Sequence, residues 1–154
     1  MKIISWNVNG IRACARKGFL EYLEKEAPDV ICLQETKASP EDLEEQLLNP
    51  SGYHAIWHSA EKKGYSGVAT LTKHKPSLVL EGLGIPEYDA EGRIIVTEFD
   101  DFTLLNVYFP NGQRDETRLN YKLSFYKDLF DYCNDLVATG KNVIVCGDYN
   151  TAHT

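Results

Sequence analysis

Between Tyr53 and Phe109 four β-rich segments follow one another: "YHAIWHSA", "GVATLTKH", "RIIVTEFD" and "FTLLNVYF". Clusters of Gly, Pro, Lys and Asp separate them, and Asp100-Asp101 suits a hairpin turn between the last two. Strands in such succession pair antiparallel, so the rest of the chain has to be arranged around a sheet. Residues 2–9, "KIISWNVN", read as an earlier strand ending at the turn-prone pair Asn9-Gly10. "FLEYLEKEAPD" puts Phe19, Leu20 and Leu23 on one helical face and stops before Pro28. "DVICLQE" reads as a buried strand, and Ser39-Pro40-Glu41-Asp42 as the opening of a second helix, with Ser39 as cap. From Arg118 to Ala138 the period is helical again, with Leu119, Leu123, Tyr126, Phe130, Cys133 and Val137 on one stripe. Gly140 ends that helix, and the strand Val143–Cys146 follows. The fold class is therefore α/β. A lone sheet covered by helices on one face leaves its other face uncovered, which predicts that the chain is part of something larger.

Composition narrows the function classes. The chain has 154 residues, 43% hydrophobic and 25% charged, as in a soluble globular domain. A net charge of -7 argues against coating nucleic acid by bulk electrostatics, but it is compatible with a local basic patch and a bound cation. Cys14, Cys32, Cys133 and Cys146 show no CxxC spacing, so a zinc site or disulfide framework is not indicated and a reducing compartment fits best. The apolar run in "MKIISWNVNG" is too short for a signal peptide, and no stretch resembles a membrane span. The expectation is a cytoplasmic protein.

Four predicted strand ends share a pattern in which an apolar run gives way to polar side chains: Asn7/Asn9, Gln34-Glu35, Tyr108/Asn111 and Asp148/Asn150. Ligands and catalytic groups gather where the strands of α/β folds end. If these ends converge they form a pocket of carboxylates, amides and a phenol, whose hard oxygens suit magnesium or manganese better than zinc. Each piece has a plainer alternative. Asn9-Gly10 and Gly147-Asp148 can be simple turns, Glu35 a solvated strand end or loop cap, and Tyr108 a core aromatic.

Read in order, "SWNVNGIRA", "CLQETK", "GYSGVA", "EGRIIV", "NVYFPN" and "CGDYNTAH" resemble the signature blocks of the exonuclease III/AP endonuclease family, within the metal-dependent endonuclease–exonuclease–phosphatase superfamily. The resemblance runs from Lys2 to His153. It implies a two-layered α/β sandwich, mostly antiparallel sheets packed face to face with helices outside, of which this chain supplies the N-terminal half. It further implies Mg²⁺-dependent hydrolysis (Mn²⁺ being possible) of phosphodiesters in double-stranded DNA, at abasic sites or 3′ ends.

Carried over residue by residue, the resemblance makes Glu35 the main metal ligand, with Asn7 and Asn9 on the same floor. Many relatives carry Asp at the position of Asn9, so one negative charge is absent here. Asp148 and Asn150, projecting to the same side of an extended backbone, would orient the attacking water, and Tyr108 and Asn111 would contact the phosphate and leaving group. Arg12, Tyr65 and Arg114 match positions that contact DNA. Lys37 is either a partner of Glu35 or an exposed loop lysine, and Arg118, Lys122 and Lys127 read as the solvated face of a helix. Family chains continue to a late Asp and a closing Ser-Asp-His block, and His153 belongs to the "TAH" continuation instead. Residues 1–154 are thus expected to be an incomplete domain, inactive without a C-terminal half. A phosphatase acting on another phosphoester, or a non-catalytic DNA-binding module, are the competing readings.

Overall fold

The computed structural model describes residues 1–112 and 115–150, and eight strands among them form two four-stranded sheets. In the first, β1 (Ile3–Asn7) pairs parallel with β2 (Val30–Gln34), which pairs antiparallel with β4 (Val68–Thr72), and β3 (His54–His58) closes the far edge. Helices α1 (Ile11–Arg16) and α2 (Phe19–Glu26) make the parallel crossover. In the second sheet β5 (Leu78–Glu81), β6 (Ile94–Glu98) and β7 (Thr103–Tyr108) run antiparallel, and β8 (Val143–Asp148) lies parallel to β7. A short α4 (Pro86–Asp89) follows β5, and the long α5 (Glu116–Ala138) crosses from β7 to β8. No helix among the described residues is long and apolar enough to cross a membrane.

The sheets pack face to face with the helices outside. Alternation along the strands explains this, because successive side chains point to opposite faces. On β2, Ile31 and Leu33 join Phe19 and Leu23 of α2 in one core, while Val30 and Cys32 meet Leu104 of β7 between the sheets. On β7, Leu105 and Val107 pack with Phe125, Leu129 and Cys133 of α5. All four cysteines are free thiols.

The inter-sheet layer also holds a polar pin. Fully buried Asn106 of β7 donates through Nδ2 to the Ala69 carbonyl at 2.8 Å, with Thr70 Oγ1 at 3.2 Å and the Leu33 carbonyl at 3.3 Å. Its Oδ1 accepts from Gln34 Nε2 at 3.0 Å, and that nitrogen also reaches Ser5 Oγ at 3.1 Å. Buried amides of this kind cost stability unless satisfied, so the pin favours one lateral register of the sheets over its neighbours.

Several expectations are corrected. The sheet is not left with a bare face: the strands from Leu78 onward form a second sheet that covers the first. The helix opening at Ser39 is a single 3₁₀ turn over Pro40–Asp42, in which Asp42 Oδ2 accepts the Ser39 N–H at 3.2 Å. Leu43 then takes an extended backbone and breaks it before the one-turn α3 (Glu45–Leu48). On α5 the buried stripe is Phe125, Leu129 and Cys133, whereas Leu119, Leu123, Phe130 and Val137 are exposed. Its apolar residues occur all round, so period alone did not identify the inner face. The last strand runs on through Gly147 to Asp148 instead of turning there. A Cβ at Gly147 would overlap the Val107 carbonyl oxygen on the parallel neighbour, and the residue's φ is +152°.

Candidate active site

Parallel pairing in both sheets brings four strand ends to one rim. Asn7 is opposite Gln34 in the first sheet, and Tyr108 opposite Asp148 in the second. The loops leaving β1 and β2 are then stitched together: the N–H groups of Val8, Gly10 and Ile11 donate to the carbonyls of Gln34, Glu35 and Thr36 at 3.0, 2.7 and 2.9 Å. Thr36 and Lys37 in turn donate to the Gly67 and Ser66 carbonyls at 3.1 and 2.9 Å. These bonds hold Asn9, Glu35, Lys37 and Ser66 at φ between +46° and +54°, a left-handed conformation that non-glycine residues rarely take. Backbone strain of this sort persists only where surrounding contacts over-determine it.

At the centre is Asn7. Its Nδ2 donates to Glu35 Oε1 at 3.0 Å and to Asp148 Oδ2 at 2.8 Å, joining carboxylates from the two sheets. Its Oδ1 accepts the Asn9 N–H at 2.9 Å, which fixes the amide. Asn9 itself turns outward, and its Oδ1 accepts from Lys37 Nζ at 2.7 Å. The same Nζ is 3.5 Å from Glu35 Oε2, so Lys37 partners Glu35 rather than standing free in a loop. Tyr108 is half-buried beside the charge of Glu35. Burial first, then the negative charge of Glu35, holds this phenol protonated well above its ordinary range. It is a donor at neutral pH.

Beyond Asp148 the backbone does not stay extended as expected. Asn150 has φ +53°, its N–H donates to Asp148 Oδ1 at 2.9 Å, and its Nδ2 reaches the Phe109 carbonyl at 3.3 Å. Such local side-chain bonds are what draw Asn into turns. Both oxygens of Asp148 are thereby oriented. Asn111 lies exposed on the loop after β7, and Arg12 lies exposed on α1 with Nη2 3.5 Å from the Lys37 carbonyl. Tyr65 sits half-buried beside Arg93, while Arg114 and His153 lie outside the described residues.

Sequence reasoning missed the charged residues behind this rim. Arg93 is buried and bonded to Glu91, and Arg118 bonds Glu91 from α5 at 3.1 Å. Lys122 Nζ donates to the Asn150 carbonyl at 3.0 Å. Of the three helix cations read as solvated, only Lys127 fits that description, exposed and paired with Asp131 one turn on. The block "EGRIIV" was the available signal, a charged pair heading an apolar strand, but it does not say which partners the charges meet.

Two carboxylates held by one amide beside a phenol thus lie at the rim of a face-to-face α/β sandwich. The chain belongs to the endonuclease/exonuclease/phosphatase family, whose pattern matches residues 4–154. It is 46% identical to an exodeoxyribonuclease of Bacillus subtilis, over 99% of this chain and 60% of that protein. It is 47% identical to a DNA-(apurinic or apyrimidinic site) endonuclease of Dictyostelium discoideum, over 100% of this chain and 43% of that one. The fold superimposes on the catalytic domain of Xenopus laevis APE2 with a TM-score of 0.86 and 36% identity, covering 100% of this chain and 60% of the other. The chain thus spans 60% or less of the length of these relatives.

Proposed function

We propose that this chain carries the active-site floor of a DNA-repair phosphodiesterase, one that hydrolyses phosphodiester bonds of double-stranded DNA at abasic sites and 3′ ends. The observation that carries the reading is the Asn7 bridge, which sets Glu35 and Asp148 side by side next to a protonated Tyr108. The relatives named for exodeoxyribonuclease and abasic-site endonuclease activity support the substrate class.

The donor set fits a hard divalent cation. Two carboxylates face one lysine, leaving excess negative charge, and every acidic ligand is an oxygen. Glu35 would hold Mg²⁺ (or Mn²⁺), with Asn7 fixing its carboxylate and Asn9 keeping Lys37 in place beside it. Such an ion, when bound, supplies charge neutralisation at the phosphate oxygens.

The chain's own groups account for the remaining work. Asp148 accepts a proton from water as the water oxygen bonds to phosphorus and the bond from phosphorus to the 3′ oxygen breaks. Asn7 and the Asn150 N–H hold its two oxygens in place for that transfer. Tyr108 donates to the developing charge on the phosphate, and Asn111 offers an amide N–H₂ to a non-bridging oxygen. Arg12, Tyr65 and Arg114 meet the DNA beyond the scissile bond. Because residues 1–154 span 60% or less of the length of these relatives, this stretch alone is expected to nick DNA negligibly. The test is cleavage of an abasic duplex against a phosphoinositide, with and without Mg²⁺, by the shortest form of the protein that turns over either. Metal-dependent nicking of the duplex is expected, and turnover of the lipid headgroup alone would overturn the reading.

A further inference from the structure

Behind the rim, one buried guanidinium touches both a residue assigned to chemistry and a residue assigned to DNA contact. Arg93 is only 2% exposed. Its Nη1 donates to the Tyr108 carbonyl at 3.1 Å, and its own carbonyl accepts the Tyr108 N–H at 2.8 Å. The guanidinium carbon lies 5.0 Å from the centre of the Tyr108 ring. Its Nη2 donates to the Tyr65 hydroxyl at 2.8 Å. Backbone and ring of Tyr108 are thus gripped together.

Glu91 fixes the guanidinium from behind. Its Oε1 accepts from Arg93 Nε and Nη2 at 3.0 and 2.8 Å, from Arg118 Nη2 at 3.2 Å and from the Tyr65 hydroxyl at 3.1 Å. Gly92 lets the two charged residues sit this way. It has φ +56°, and a Cβ there would fall within 2.6 Å of the Ser59–Ala60 backbone. The Tyr65 hydroxyl is occupied inward by Arg93, Glu91 and Arg118, so what Tyr65 offers DNA is its ring, over which Lys62 Nζ lies at 5.1 Å.

We infer that Arg93, locked by Glu91, is a positioning residue shared by catalysis and DNA contact, holding the Tyr108 phenol and the Tyr65 ring in one fixed relation. The inference rests on the roles proposed above for those two tyrosines. A planar fork with donors on three nitrogens can serve the Tyr108 carbonyl, the Tyr65 hydroxyl and Glu91 at once, and a lysine cannot.

The test is Arg93→Lys in the shortest form of the protein that cleaves an abasic duplex, with kcat and KM measured separately. A misplaced phenol lowers kcat by about 10- to 100-fold, and a loosened Tyr65 raises KM. In a Tyr108→Phe background the same substitution should change kcat by less than about threefold, because the group it positions is gone. Full multiplication of the two losses, or unchanged kcat and KM in Arg93→Lys, would overturn the inference. Glu91→Gln, which keeps an acceptor oxygen and the side-chain shape, is run through the same cycle with the same criteria and serves if Arg93→Lys does not fold. A second readout needs no activity: in protein labelled with ¹³C at the tyrosine Cζ, the signals of Tyr65 and Tyr108 shift together in either variant while that of Tyr53 stays. Unmoved signals reject the positioning role. Moved signals in a protein that cleaves no DNA would reject the proposed reaction instead.

Discussion

The two ends of the sandwich are built from the same strands and differ in almost everything else. At the rim where β1, β2, β7 and β8 end, five non-glycine residues take positive φ: Asn9, Glu35, Lys37, Ser66 and Asn150. At the opposite end only Ala27 does, among the described residues. Each left-handed non-glycine residue costs roughly 1–2 kcal/mol, so the rim stores strain that the other end avoids. Charge follows the same division. The far end carries exposed or half-exposed pairs of opposite sign, Lys2 with Glu26 at 2.9 Å and Lys141 with Glu98 at 2.9 Å. The rim sets two carboxylates around a single amide. One end is arranged for stability and the other for holding acidic groups in a fixed geometry, at a cost offset by the core and the Asn106 pin between them.

If that contrast is right, substitutions at the two ends separate activity from stability. Asp148→Asn should lower the cleavage rate by about 10²–10⁴-fold, the range for loss of a general base, while its unfolding temperature holds or rises as the paired carboxylates are relieved. Asn106→Leu acts the other way. It removes the donor to the Leu33 and Ala69 carbonyls and the acceptor of Gln34 Nε2, and should lose about 1–3 kcal/mol in denaturant unfolding.

Acid should act on the network behind the rim. Burial works to raise the Glu91 carboxyl, but the hydrogen bond from Arg118 and the charge of Arg93 outweigh it, so its folded pKa lies below the ordinary 4.5. The stability it contributes is therefore complete above pH 4.5 and is lost as pH falls through that lower value. Glu91→Gln should flatten this part of the acid limb in a pH series of unfolding curves. Lys141→Ala at the far end should show the smallest effect, within about 1 kcal/mol of the parent and with unchanged cleavage, since partly exposed pairs contribute little. A large activity loss there would erase the contrast.

The rim was legible in the sequence to the extent that strands are. Short β-branched runs such as "VICLQ" and "TLLNVY" end abruptly in polar residues, and both features are local. The second sheet was harder to see because its outer strand, Leu78–Glu81, is short and largely exposed, with no buried alternation to mark it. Helix Ile11–Arg16 spans too few residues to display a period. Residue types and strand ends pointed to Asn7, Glu35, Tyr108 and Asp148, but not to the bridge that Asn7 makes, since its bond to Asp148 links opposite ends of the chain. Arg93 was hidden for the same reason. Its partners Tyr65, Glu91 and Tyr108 come from different elements, and only the folded arrangement shows that they share one guanidinium.

The most direct measurement is a double-mutant cycle on Mg²⁺-dependent nicking of an abasic duplex with Glu35→Gln, Asp148→Asn and the two combined. Carboxylates that act in one site should not add: the double variant is expected to be little slower than the slower single one. Losses that multiply in full would mean that Glu35 and Asp148 act independently and would contradict a shared hydrolytic centre built across the two sheets.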